Sequence, residues 1–320
     1  MFKHLLVPLD GSAIAECTLP HLVALTRASQ ARVSLVRVLD CKPEVGLEKK
    51  PTGPLQWALS KAEAKAYLDE VAQRLRTEAN VEAEPVLLEG QAAQRICDFA
   101  HSSDVDLILI SSHGQSGLSR WNVSSVVRKI VQRAHRSVMI VRAYKAGEHA
   151  LNDLHYSRLL VPLDGSQRAE CVFATAVTLA RHYEAQLLLS HVIVKPQLPR
   201  HISLTPSDEK LIKYFVARSQ KILAQYMKQL GNRLAYPFEP HLLIHHDVTR
   251  ALHDLIDEAQ VDLVLLSAHG FSGTRHWPYG SITTSFIEYG STPLLIVQDL
   301  EPGEIELTEA ERAATEKQGH

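Results

Sequence analysis

The chain has 320 residues, 45% of them hydrophobic and 22% charged, with a formal net charge of −2. That length suits about two domains with buried cores, and the near-neutral charge leaves no footprint for nucleic acid or an anionic membrane. Apolar runs fall short of the roughly 18 residues of a bilayer span, and the four cysteines form no CxxC pair, which excludes a thiol redox motif or cysteine zinc knuckle.

From the N-terminus, KHLLVPL is a short apolar strand ended by Pro8 and Asp10, followed by a helix from about Ser12 to Ala28. Ala15, Leu19, Leu22 and Leu25 recur there at intervals of three or four and mark one apolar face. ARVSLVRVL is a second strand, CKPEVGLEKKPTGP a loop, and SKAEAKAYLDEVAQRLRTEA a long amphipathic helix. VEAEPVLLEG gives a third strand, QAAQRICDFAHSS a short helix and DLILIS a fourth strand. A helix around Val123–Ala134 and the strand SVMIVRA close this half.

The second half repeats the first. LLVPLDGS stands at 5–12 and again at 159–166, and Ala15, Glu16 and Cys17 return as Ala169, Glu170 and Cys171, each 154 residues on. A period of that length suits whole domains and is too long for a solenoid unit. RLLVPL, AQLLLSHVIV, PFEPHLLIH, DLVLLS and TPLLIVQ are the strands, with helices near Arg168–His182, Ser207–Leu230, Thr249–Glu258 and Ser281–Tyr289.

DLILIS and DLVLLS are too short for helices and too uniformly apolar for half-exposed strands, so they belong in a parallel sheet covered on both faces. The expected fold is α/β: two tandem doubly wound domains, each a five-stranded parallel sheet between helices. The domains are placed at 1–144 and 156–300, joined by a polar linker over about Tyr144–Ser157. The Glu-rich tail 301–320 is expected to be disordered or weakly helical. MFKHLLVPLDG enters a strand at once without a signal-peptide pattern, which sets the expectation of a cytoplasmic protein with reduced thiols.

In such a sheet, ligands gather beyond the carboxyl ends of the strands, where helix N-termini and loop amides converge. This singles out Asp10 and Asp164 after strand one and the loops after strand four, SSHGQSGLSRWNVSSVV and SAHGFSGTRHWPYGSIT. Their glycines suit a backbone that presents N–H groups to phosphate, but neither the Walker A lysine nor a dinucleotide fingerprint is present. Arg120 and Arg275 follow the loop glycines at unequal distances, so no shared cationic clamp emerges. Of 17 histidines, His191, His245, His246 and His269 fall at strand ends. With Asp164 or Asp247 they are a candidate zinc set; solvated or phosphate-facing imidazoles are the alternative, and the metal stays open.

Taken together, strand-PLDGS, a βαβ unit, D-L-[IV]-[IL]-[IL]-S-x-H-G, a short loop, a Ser-opened helix and a final apolar strand resemble the universal stress protein family, in tandem form. Its nucleotide-binding members carry G-x-x-G, nine residues, then G-[ST]. In domain 2, Ser267 stands at the first glycine, Gly270 at the second, Phe271–Tyr279 are the nine, and Gly280-Ser281 complete the pattern. In domain 1 the series is Ser111, Gly114, Gln115–Val123, Ser124 and Ser125. The resemblance implies that Asp164 and Asp10 face the nucleoside and that backbone near Val192 and Val38 meets adenine. It sets His246 opposite Gly90, a position near the ligand, and His269 at the phosphate rim. Phosphate there would favour imidazolium, so affinity would rise as pH falls from about 8 to about 6.

The resulting expectation is a cytoplasmic stress-response protein that binds an adenine nucleotide, ATP foremost, chiefly in domain 2, as a sensor or switch. Mg²⁺ beside the phosphates is compatible with carboxylates such as Asp164. The two last strands are expected to meet within one chain, as in the family's dimers, and a further homodimer is compatible with this. Two other readings stay open: a structural or interaction protein of the same fold without nucleotide, and a slow ATP hydrolase.

Overall fold

A computed structural model of the chain describes residues 1–40, 53–113, 123–142, 150–196, 205–271 and 279–300. The tail, Gly114, Arg120 and Arg275 lie outside the described residues. The chain divides into two units, Met1–His155 and Tyr156–His320.

In unit 1 the elements are β1 (His4–Pro8), a 3-10 turn (Ala15–Thr18), α1 (Leu19–Ser29), β2 (Arg32–Leu39), α2 (Pro54–Ala79) and β3 (Ala83–Glu89). Then come α3 (Ala92–Ser102), β4 (Leu107–Ser111), α4 (Ser125–Arg133) and β5 (Ser137–Val141). Unit 2 runs β6 (Arg158–Leu163), a 3-10 turn (Ala169–Val172), α5 (Phe173–Tyr183), β7 (Gln186–Val194), α6 (Pro206–Arg233) and β8 (Glu239–His245). It ends with α7 (Val248–Glu258), β9 (Leu263–Ser267), α8 (Ser281–Tyr289) and β10 (Leu294–Val297).

Strand order is β3-β2-β1-β4-β5 in unit 1 and β8-β7-β6-β9-β10 in unit 2, with parallel pairing throughout each set. This is the doubly wound α/β architecture that the apolar strands predict. Every residue of β4, β5, β9 and β10 is buried, as continuous apolar runs require when helices cover both faces. Proline is tolerated in β3 and β8 (Pro85, Pro240) because each ends its strand order, where a missing N–H breaks no inner ladder. The chain reverses its winding between β1 and β4, and between β6 and β9. At that switch point a crevice opens at the carboxyl ends.

The helix expected from Ser12 is split. The 3-10 turn comes first, and α1 starts only at Leu19, with Pro20 in its first turn where its missing N–H is harmless. The repeated Ala-Glu-Cys lies on this turn in both units. Glu16 accepts from the Tyr67 hydroxyl (3.0 Å) and from Arg74 (2.9 Å); Glu170 accepts from Tyr226 (2.9 Å) and Arg233 (2.7 Å). Each long helix is thereby clamped to the turn that follows the unit's first strand.

The linker is less solvated than its composition suggests. Leu151 is buried, and Asn152 donates to the Glu78 carbonyl (2.8 Å) while accepting from Arg27. Tyr156 is fully buried, edge-on to Tyr183 at 5.5 Å. Among the described residues, no helix is long and apolar enough to cross a membrane.

Candidate functional site

Both units build the same turn after their first strand. Asp10 accepts from the Ser12 N–H (2.9 Å) and hydroxyl (2.5 Å), and Asp164 from the Ser166 N–H (2.9 Å) and hydroxyl (2.6 Å). The second Asp164 oxygen also accepts the Phe271 N–H at 2.6 Å, which ties this turn to the loop after β9 across the switch point. Burial pushes the Asp164 carboxyl up, but the hydrogen bonds from Ser166 and Phe271 outweigh it and hold its pKa below the ordinary value. Gly270 makes the contact possible, because a Cβ there would overlap the Asp164 carboxylate.

The loop after the fourth strand is braced identically in the two units. Ser111 donates to the His113 carbonyl (2.6 Å), and Ser267 to the His269 carbonyl (2.5 Å). The serines that stand at the first motif glycine therefore hold the loop through their hydroxyls. Ser124 N–H donates to the Ser112 carbonyl (3.0 Å), and Gly280 N–H to the Ala268 carbonyl (2.8 Å), which fixes where α4 and α8 begin.

In unit 2 a cavity of about 350 Å³ opens at this place. Pro162, Ser190 and Leu266, from the adjacent strands β6, β7 and β9, form its floor, and Val192, Val194, Val248 and Leu252 an apolar side. Asp164, His269, Gly270 and the first turn of α8 complete the wall. Such a volume suits a small organic ligand.

The two units differ at the start of the last helix. In α4, Ser124 caps the Val127 N–H at 3.2 Å. In α8 the cap residue is Gly280, and no side chain among the described residues caps it. The N–H groups of Ser281, Ile282 and Thr283 precede the first intrahelical bond, made by Thr284 to the Gly280 carbonyl, and these residues line the cavity. An anion is favoured at such a terminus by the N–H groups and the helix dipole together. Gly280 has φ −67°, close to the −61° of Ser124, so its backbone does not require glycine. A Cβ at 280 would make only ordinary contacts, 3.7–3.9 Å, with the backbone of residues 268–270.

Strand register identifies further counterparts. Pro8 pairs with Val36 and Pro162 with Ser190, so Val36 corresponds to Ser190, Arg37 to His191 and Val38 to Val192. Arg37 lies across the Tyr67 ring at 5.2 Å, with its guanidinium 3.0 Å from where a Gly11 Cβ would be. His191 lines the unit 2 cavity, and burial, outweighing the nearby Asp164 and the Leu163 carbonyl, lowers its pKa.

One histidine moves out of the expected place, and another gains a partner. His246 does not line the cavity; it is exposed and stacked on His245 at 4.2 Å. Register also shifts the alignment: Leu39 pairs with Glu89, and its counterpart Ile193 with Ile244, so His245 falls opposite Gly90. Unit 2 has one residue more before the helix cap, Asp247 against Gln91. Gly90 turns the chain with φ +128°, while in unit 2 the Asp247 N–H donates to His245 Nδ1 (2.9 Å) and no positive φ is used. His269 reaches the cavity wall but is 2% exposed, with Nδ1 2.7 Å from Asp299, whose other oxygen faces Arg168 at 3.5 Å. Its Nδ1 is thus held by Asp299 while the residue remains in the cavity lining. Among the described residues, no group of three or more His, Cys, Asp or Glu side chains is placed to hold a metal ion.

Ser281 and Gly280 are thus brought together with Asp164, Gly270 and Val192, while His246 stands apart. Three features lay beyond the reach of sequence reasoning: the Asp299 partner of His269, the bond from Phe271 N–H to Asp164, and the place of Ser190 in the floor. Only the last had a signal, a polar residue breaking the apolar run of β7.

These features define a class: tandem doubly wound units with a cavity of about 350 Å³ at the switch point of the second. The universal stress protein family model matches residues 1–142 and 155–298. The chain belongs to the universal stress protein family. Universal stress protein MJ0531 of Methanocaldococcus jannaschii is 30% identical over 145 residues, covering 45% of this chain and 85% of that protein. YxiE, a universal stress protein of Bacillus subtilis, is 28% identical over 148 residues, 44% of this chain and all of that protein. Among solved structures, a universal stress protein from Archaeoglobus fulgidus superposes with a TM-score of 0.63 at 18% identity, covering 93% of this chain and 98% of that one. A functionally unknown protein from Pseudomonas aeruginosa gives 0.68 at 13% identity, covering 98% of both chains. These two share the fold.

Proposed function

We propose that unit 2 binds an adenine nucleotide, ATP foremost, and that the chain acts as a nucleotide-responsive sensor or switch. The phosphates lie at the N-terminus of α8 and the base along β7 near Val192. The observation that carries this reading is the α8 N-terminus, which opens on the cavity under Gly280 without a side-chain cap, while its counterpart α4 is capped by Ser124. No Lys or Arg side chain stands among the described lining residues, so backbone N–H groups carry the recognition of phosphate. Arg168, the nearby cation, is engaged with Asp299. A site of this kind holds a nucleotide more readily than it stabilises charge in a transferring phosphoryl group, which favours binding over rapid turnover.

Gly280→Ser tests the reading by copying the unit 1 cap onto α8. The matching backbone angles let the variant fold, with stability raised by a few tenths of a kcal/mol at about the level of an improved cap. Its hydroxyl then competes for the N–H groups, and calorimetric titration should show ATP binding at least about tenfold weaker than in wild type. Unchanged ATP affinity, or absence of ATP binding by wild type, defeats the proposal.

A further inference from the structure

The floor of the unit 2 cavity contains a hydroxyl that the fold does not use. Ser190 is fully buried, and its Oγ has no hydrogen-bond partner among the described residues. Side chains alternate along a strand, so Ser190 shares a face with Val192 and Val194, and all three line the cavity. Its neighbours in the floor are Pro162 and Leu266, neither of which offers a polar side-chain atom. At the matching place in unit 1 stands Val36, also fully buried, so the strand accepts a hydrocarbon there without loss of structure. Burying a hydroxyl without a partner is unfavourable. A position that tolerates valine in one unit and holds an unsatisfied serine in the other points to a hydrogen bond supplied from the cavity.

We infer that Ser190 is a specificity-determining residue of the unit 2 site, its hydroxyl hydrogen-bonding the polar edge of a planar heteroaromatic base that lies on the Val192–Val194 side. This rests on the nucleotide reading above and adds to it the residue that reads the base. The phosphate end at α8 is made of backbone N–H groups and takes any polyphosphate; the apolar side takes any flat ring. Ser190 supplies the directional contact that separates a base with a hydrogen-bonding edge from a ring without one. A polar group on that edge gains a partner in an apolar floor, where an unpaired hydroxyl discriminates most strongly.

The test uses the full chain with two substitutions, Ser190→Ala and Ser190→Val, the second reproducing unit 1. Thermal melts without ligand should show neither variant melting below wild type by more than a few degrees, since no protein partner is lost. ATP and inorganic triphosphate are then titrated by calorimetry. The expected result is ATP binding weakened about fivefold to tenfold in both variants, the value of one directional hydrogen bond, with triphosphate affinity unchanged. ATP affinity equal to wild type in both variants overturns the role of Ser190 while leaving the nucleotide site intact. Equal weakening of ATP and triphosphate also overturns it, because the hydroxyl would then act at the phosphate end or on the fold. Failure of wild type to bind ATP removes the nucleotide reading and this assignment with it.

Discussion

Gly270 and Asp164 depend on each other. The carboxylate occupies the space a Gly270 side chain would take, and it accepts the N–H of the next residue, Phe271. Gly270→Ala should push the carboxylate aside and break that bond, at a cost of about 1–3 kcal/mol seen in urea unfolding. In the double variant with Asp164→Ala the two losses should not add, and full additivity would show that they act separately. A different dependence concerns His4, buried at the start of β1 with Nε2 2.9 Å from the Ser34 hydroxyl and Nδ1 2.9 Å from the Ser103 carbonyl. Burial, aided by Arg32 and opposed by the Ser103 carbonyl, Asp106 and Glu84, lowers its pKa below 6.5. As pH falls through 6.5 the unfolded chain takes up the proton first, so stability is full above that value and lost toward the lower folded pKa. His4→Asn should therefore lose less stability than wild type between about pH 7 and about pH 5, read from melting temperatures at the two pH values. Equal losses would mean that His4 does not titrate in this range.

At the level of elements, the clamp between the 3-10 turn and the long helix predicts matched losses in the two units. Glu16→Ala and Glu170→Ala each strand a tyrosine hydroxyl and an arginine. Because Arg74 and Arg233 are more than a third exposed, solvent screening leaves most of the cost, about 1–2 kcal/mol, to the tyrosine bond. Denaturant unfolding of the two single variants checks this, and a near-zero effect in either would show that its clamp is ornamental. Strands and most helices of this fold were legible because periodicity is a local property: LLVPL, DLILIS and SVMIV each show their burial within five or six residues. The cavity lining was legible where the motif is continuous in sequence, at Gly270, Gly280 and Ser281. It was not legible where contact is made across the chain. The Asp299 partner of His269 was hidden because nothing near His269 announces a residue 30 positions away. His246 was set opposite Gly90 because the extra residue in unit 2 shows only in the strand register.

Over the whole chain, duplication has preserved the frame and changed the contents. Turn, clamp and loop brace recur at each position, whereas Val36, Arg37 and Ser124 of unit 1 stand opposite Ser190, His191 and Gly280 of unit 2. The repeated turn also carries a cysteine in each unit, Cys17 and Cys171, and burial pushes both thiols up to about 12. Cys17 is buried and Cys171 partly exposed, and with so little thiolate near neutral pH a maleimide or disulfide reagent should react slowly with both until the turn opens. The labelling rate is then a clock for local opening, with a separate hand in each half of the chain. Ala169, two residues before Cys171, is part of the cavity wall, so occupancy by ATP should slow labelling of Cys171 and leave Cys17 unchanged in a chain with Cys41→Ser and Cys97→Ser. Peptide mass spectrometry over a time course reads both rates in one sample, and equal slowing of the two would place the ligand elsewhere. The Ala-Glu-Cys repeat would thus record, in the chemistry of two slow thiols, which half of the molecule a ligand occupies.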